Sequence, residues 1–241
     1  MKRLFYLILF FAAFSFSAAA QQVQQSGWLA SFNTFGINQK WSVHFDAQVR
    51  SSDDVKHLQT LLLRPGINYH FNKSVVASAG YAFIPARRTV AHMSELFTEH
   101  RLWQQLVYNH KVSSVATAHR VRFEQRFLPH IDFTSSDLFK NGTNTAYRLR
   151  YFIRNVLPLK GAPAFTEGPF FALQNEVFLN TGNKGVVNGR TFDQNRLYLA
   201  FGYRLPNSKI DLEMGYLNQY SRLKTGHTNN HVAQLAIYKR L

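Results

Sequence analysis

Between Gln39 and Arg50 the chain alternates with little interruption. Trp41, Val43, Phe45, Ala47 and Val49 fall on one face, and Ser42, His44, Asp46, Gln48 and Arg50 on the other. Successive side chains of an extended chain point to opposite sides, so a period of two marks a strand whose faces meet different media. The pattern recurs to the end of the sequence. Leu61, Leu63, Ile67 and Tyr69 oppose Thr60, Arg64, Asn68 and His70, and Tyr147, Leu149, Tyr151 and Ile153 oppose Arg148, Arg150 and Arg154. Leu197, Leu199, Phe201 and Tyr203 oppose Gln194, Arg196 and Arg204, and Ile210, Leu212, Met214 and Tyr216 oppose Asp211, Glu213 and Gln219. On a helix these arginines would scatter around the axis and leave no apolar face. Alternating segments of about ten residues, without continuous apolar runs, are the signature of a transmembrane β-barrel, with the apolar set toward lipid and the polar set toward the lumen.

The N-terminus supplies the route to a membrane. Lys2 and Arg3 precede an apolar run from Leu4 to Phe14, and Ala18-Ala19-Ala20 offers a small-residue cleavage site. This reads as a secretory signal, Met1 to Ala20, removed before Gln21. It is shorter than the roughly 20 apolar residues of a spanning helix. Its loss leaves 26 Lys+Arg against 13 Asp+Glu. The absence of cysteine excludes disulfides and a lipid-modified cysteine. The 22 Phe, 11 Tyr and 3 Trp sit in a chain of negative mean hydropathy, as a barrel requires. The expectation is an all-β antiparallel transmembrane barrel of 10–12 strands at residues 21–241, in a bacterial outer membrane.

Short connections are expected near Ile37-Asn38, Phe71-Asn72-Lys73, Asn109-His110-Lys111 and Pro206-Asn207-Ser208, with Pro158 to Gly168 as a further turn. Longer loops are expected at Ser51–Lys56, Pro85–Glu95, Leu128–Gly142, Asn180–Arg190 and Ser221–Asn229. The candidate strands number eleven, whereas bacterial single-chain barrels have even counts. Either Trp28 to Phe35 lies outside a ten-strand wall or a twelfth strand exists, and twelve is the favoured count. Gly66, Gly80, Gly202 and Gly215 inside strands point to bending or close packing.

The inward faces carry a polar ladder: Arg64; Glu99 and Arg101; Arg120, Arg122, Glu124 and Arg126; Arg148, Arg150 and Arg154; Glu176; Arg196; Asp211 and Glu213. Charges in a narrow lumen must pair, and the guanidinium fork matches a carboxylate with two hydrogen bonds. A salt-bridged, plugged structural barrel is therefore one reading. With Arg50 and Arg204 the inward arginines number eleven, against six acids once Asp46 is included. The surplus points to a pore favouring small anionic solutes, such as acidic sugars or phosphates. The expected surroundings are outer-membrane lipid and lipopolysaccharide, around a monomer.

Other classes are weaker. An envelope enzyme acting on lipid or lipopolysaccharide would need a base from His100, His119, His227 or His231 and Ser221 as nucleophile, yet no spacing joins them to a carboxylate. No catalytic residue, cofactor or metal site is expected, since isolated histidines do not make a site. Basic residues spread over alternating strand faces do not form a nucleic-acid patch. A soluble periplasmic β-sandwich would bury the apolar faces against each other instead.

Leu63-Arg64-Pro65-Gly66, Gly80-Tyr81, Glu99-His100-Arg101-Leu102-Trp103-Gln104-Gln105, Arg120-Val121-Arg122-Phe123-Glu124-Gln125-Arg126-Phe127, Arg148-Leu149-Arg150-Tyr151, Asn175-Glu176, Phe192-Asp193-Gln194-Asn195-Arg196-Leu197-Tyr198 and Gly215-Tyr216-Leu217-Asn218-Gln219 follow in order. Over about Trp28 to Leu241 the series resembles a family of bacterial proteins called domain of unknown function 2490. The resemblance implies an outer-membrane-type β-barrel and no activity, so no catalytic residue is carried over.

Overall fold

The alternating segments become eleven strands in the computed structural model, which describes residues 21–90, 92–159 and 165–240. They are β1 (Gln21–Gly36), β2 (Trp41–Ser51), β3 (Leu58–His70), β4 (Val75–Val90), β5 (Met93–Val112), β6 (Val115–Phe133), β7 (Leu138–Pro158), β8 (Gly168–Thr181), β9 (Phe192–Arg204), β10 (Ile210–Arg222) and β11 (His227–Lys239). Each pairs antiparallel with its sequence neighbours, and β1 closes on β11 to complete a barrel. The segment read as a secretory signal, Met1 to Ala20, lies outside the described residues.

The count corrects the preference for twelve. Trp28 to Phe35 is neither outside the wall nor short of a partner; it belongs to β1. An up-and-down barrel with an odd number of strands brings its first and last strands together pointing the same way. The seam is accordingly parallel, running from Gln21↔His227 to Asn33↔Lys239. Beyond Trp28↔Arg50 the start of β1 has outrun β2. The turn after β2 covers this edge. Asp53 Oδ1 accepts from Gln25 N at 2.7 Å and Ser51 Oγ from Gly27 N at 2.8 Å. Unpaired edge groups are thus satisfied without another strand. Cysteines at Leu29 and Leu235, Cα partners across the seam with both side chains exposed, should form a disulfide on mild oxidation, read as a mobility shift on a gel. A chain that closed otherwise would not cross-link.

The connections β1–β2, β3–β4, β5–β6, β7–β8 and β9–β10 lie at one end of the barrel, called here the turn end, and the other five at the loop end; both ends mix short and longer connections, which corrects the expectation of short turns facing long loops. Three expected loops are shorter than read. β4 and β5 extend to Val90 and from Met93, β6 and β7 to Phe133 and from Leu138, and β10 and β11 to Arg222 and from His227. The tips of β4, β10 and β11 carry polar residues on both faces, so alternation fades although the ladder continues. Pro129 sits where the β6–β7 register shifts, a position that tolerates a missing donor.

The two faces differ as the alternation requires. On β2, Ser42, Asp46 and Gln48 are buried inside, while Trp41, Val43 and Val49 are exposed outside. The inward face is not polar throughout, since an apolar cluster stands beside the arginine-rich ladder. Toward the turn end of β8 to β11, Phe170, Ala172, Tyr198, Ala200, Leu217 and Val232 pack with Trp28 from β1 into an apolar wedge. Here both faces of the strands are apolar, as in Leu197 to Tyr203.

Candidate functional site

The ladder residues come together in the interior, and the pairing crosses strands. Glu99 on β5 lies between two forks. Arg101 donates through Nε at 2.6 Å and Nη2 at 3.0 Å, and Arg126 from β6 through Nε at 2.7 Å and Nη2 at 3.2 Å. Glu124 on β6 accepts from Arg148 Nε and Nη2 at 3.0 and 2.7 Å and from Arg150 Nη1 at 2.5 Å. Arg150 turns its other edge to Glu176 on β8, with Nε at 3.0 Å and Nη2 at 2.7 Å, and Arg120 Nη2 joins the same carboxylate at 2.8 Å. Arg101 Nη1 lies 3.6 Å from Glu124. The result is one network from Glu99 to Glu176 across four strands.

Other pairs stand apart from it. Arg64 bonds Asp46 across β2 and β3, and His44 Nε2 lies 3.0 Å from the same carboxyl group. Arg154 bonds Glu213 and donates to Gln174 Oε1 at 3.0 Å. Asp211 at the turn end accepts a two-point fork from Arg204 at 2.9 Å and Arg240 Nε at 3.1 Å. Arg240 lies just past β11, and its burial lowers its pKa from the ordinary guanidinium value while Asp211 opposes the shift.

Of the eleven arginines expected to face inward from the sequence, three have no carboxylate within salt-bridge distance among the described residues: Arg50, Arg122 and Arg196. Each leans on a glutamine carbonyl and an aromatic ring. Arg122 takes Gln105 Oε1 at 2.9 and 2.5 Å and lies 4.8 Å from the Trp103 ring centre. Arg50 takes Gln48 and Arg196 takes Gln219, and both guanidiniums approach Trp28, at 4.0 and 5.2 Å. A guanidinium over a ring face gains electrostatically from the ring quadrupole.

Arg50 and Arg196, with Gln48, Gln219 and Trp28, border a chamber of about 450 Å³ that reaches the loop-end rim at Gln24, Gln59, Arg87 and Arg88; Arg122 lies outside its lining. Eleven arginines line it against two glutamates, Glu99 and Glu176. A second cavity of about 420 Å³ opens at the turn end below β4 to β7. Arg154 borders both, so its link to Glu213 stands where the two spaces approach.

Several contributors were not legible beforehand. Asp193 carries a seventh inward acid, bonding Arg148 Nη1 at 3.0 Å. The register shift at Phe178/Leu179 falls beside it, and a bulge of this kind re-aims a side chain. Arg87 and Arg88 were assigned to a loop yet extend the chamber's basic lining. Trp28 had been placed only on a strand.

The enzyme candidates do not converge. His100, His119 and His231 lie on the outer face, bonded to Tyr81, Tyr151 and Tyr216 respectively. His227 stacks on Tyr220 at 5.1 Å. Ser221 faces inward and accepts from Gln194 at 2.8 Å and Gln219 at 3.2 Å. Nucleophile and bases are on opposite sides of the wall, so no relay among them exists.

The strand glycines serve close packing. Trp103 lies across Gly66 and Gly80, Phe170 across Gly202, and Tyr198 against Gly215. A Cβ at position 80 would overlap the Trp103 ring, the Pro65 carbonyl oxygen and the Gly66 Cα. Two of those atoms are backbone and cannot swing aside. Gly80→Ala should therefore lower unfolding stability in detergent by about 3 kcal/mol, at the upper end of overpacking costs. A loss within the error of urea titration would show that the wall yields at this point.

Comparison with known proteins agrees with the fold. The chain is 27% identical over 230 residues to an uncharacterised protein of Methylorubrum extorquens strain AM1, covering 92% of this chain and 91% of that one. It is similar to the solved NanC porin structure, with a TM-score of 0.50 and 11% identity, over 90% of this chain and 98% of that chain. At that identity the likeness speaks for the porin-like barrel fold. The model of the family described as protein of unknown function DUF2490 matches residues 25–230, and the chain belongs to that family.

Proposed function

We propose that this protein is an outer-membrane barrel that admits small anionic solutes through its arginine-lined interior. The observation that carries the reading is the chamber's lining of eleven arginines and two glutamates. Positive groups at close quarters raise the local concentration of anions and disfavour cations. The outward face supports a bilayer around the barrel. Leu29, Val49, Leu106, Phe201, Met214 and Leu235 are all exposed, and an apolar surface of that extent calls for lipid. Export by the Met1–Ala20 signal and a single-chain barrel in lipid and lipopolysaccharide complete the proposal, with the turn end in the periplasm and the loop end outside. The NanC neighbour is itself named a porin, which is in keeping with this reading.

The test is solute uptake by proteoliposomes. Gluconate should enter faster than glucose, and the difference should shrink at high salt as screening shortens the range of the lumen charge. Equal rates would remove the basis for anion preference. No uptake of either would favour the plugged structural barrel, a reading that draws on the apolar wedge at the turn end and the dense ion-pair network.

A further inference from the structure

We propose that Arg50 and Arg196 form a binding site for one small anion bearing a carboxylate or phosphate, held against Trp28. The proposal deepens the pore reading, on which it rests for an open loop end, but it does not require passage beyond Arg154.

The two arginines come from β2 and β9, which are distant around the wall, and meet at the ring of a β1 residue. Trp28 is buried, and the Arg50 guanidinium carbon lies 4.0 Å and that of Arg196 5.2 Å from its ring centre. Arg196 also lies 4.8 Å from the Phe178 ring. Each side chain is held along one edge. Arg50 donates Nε and Nη2 to Gln48 Oε1 at 3.3 and 2.6 Å, and Arg196 donates Nε to Gln219 Oε1 at 3.0 Å. Arg50 Nη1 and both Nη atoms of Arg196 make no hydrogen bond among the described residues, and both residues border the chamber.

Elsewhere in the barrel such convergence is neutralised. Arg101 and Arg126 share Glu99, and Arg120 and Arg150 share Glu176. At Trp28 neither guanidinium has a carboxylate within salt-bridge distance among the described residues, and Glu176, the Cα partner of Arg196 across β8 and β9, is taken by Arg120 and Arg150. Two like charges brought together in a space screened by protein repel. A bound anion would supply the missing partner through charge-assisted hydrogen bonds from the free donor edges. The indole adds a flat apolar floor, and the chamber's volume suits a small organic acid or phosphate rather than a polymer.

The experiment titrates the chain, refolded in detergent, with inorganic phosphate and separately with acetate by calorimetry in chloride-free buffer. One saturable site for at least one probe is expected, and the stronger of the two identifies the preferred headgroup. Arg50→Gln and Arg196→Gln should each weaken it by roughly tenfold or more, a loss of at least ~1.4 kcal/mol. Lys140→Gln, at an exposed position near the start of β7 that does not line the chamber, should leave it unchanged. Wild-type protein without saturable binding, or binding that survives both substitutions, would overturn the proposal. Should either variant fail to refold, tryptophan fluorescence decides. An anion-dependent change should be seen in Trp41→Phe and lost in the Trp28→Phe/Trp41→Phe double variant; its persistence in the double variant would place the anion elsewhere. Binding without solute uptake would retire the pore and keep the site, whereas uptake without binding would retire the site and keep the pore.

Discussion

Replacing Glu124 with glutamine should destabilise the barrel by about 3–5 kcal/mol, the cost of breaking a buried ion pair from one side. Glu124 is 1% exposed. It holds Arg148 through two hydrogen bonds and Arg150 through one, with Arg101 at 3.6 Å. Glutamine keeps the shape and one acceptor but removes the charge that balances these cations. Arg148 would retain Asp193 and Arg150 would retain Glu176, so the barrel should still assemble. Urea unfolding in detergent measures the effect. Combining Glu124→Gln with Arg148→Gln should recover part of the loss, since the second change removes one stranded charge. A single variant as stable as the parent would mean that water, not Glu124, solvates these arginines.

The second large effect is expected at Trp103. Its side chain is 1% exposed, spans Gly66 and Gly80, and donates Nε1–H to the Tyr81 carbonyl at 3.1 Å. Trp103→Ala should cost about 3–5 kcal/mol, as for other buried aromatics cut back to alanine. The glycines beneath the ring have no side chains to refill the space. The ring also faces the fully buried Arg122, whose Nη1 makes no hydrogen bond. Trp103→Phe keeps a ring at this place and should lose less than half as much. Equal losses for both substitutions would assign the effect to the indole hydrogen bond rather than to packing.

These two sites show what alternation can and cannot convey. Glu124 and Trp103 are inward because their neighbours Phe123 and Leu102 are apolar and face out, and this is plain from the period of two. That Arg150 would bridge Glu124 and Glu176 depends on the β6–β7 and β7–β8 registers, which no strand specifies alone. Asp193 escaped notice because a register shift, invisible in the local pattern, lies beside it. The Phe170–Tyr198 wedge was hidden because apolar residues occupy both faces there, so outward and inward sets cannot be told apart. The strand tip at Arg87 and Arg88 looked like a loop because polar residues lie on both faces, and Leu128 to Phe133 did so because Pro129 interrupts the run beside a register shift. The expectation of an even count failed at β1, whose parallel pairing with β11 is a relation between opposite ends of the chain. The approach of Arg50 and Arg196 to Trp28 involves three strands at once and emerges only when the wall is closed.

A positive interior field that reaches a conducting space should make the barrel selective for anions. The reversal potential of single channels in a planar bilayer under a potassium chloride gradient measures that most directly. Discrete conductance steps whose reversal potential shifts toward the chloride equilibrium value are the predicted result. Cation selectivity would contradict this outright, and a correctly folded barrel that passes no current would show that the ion-pair network and the apolar wedge together close it.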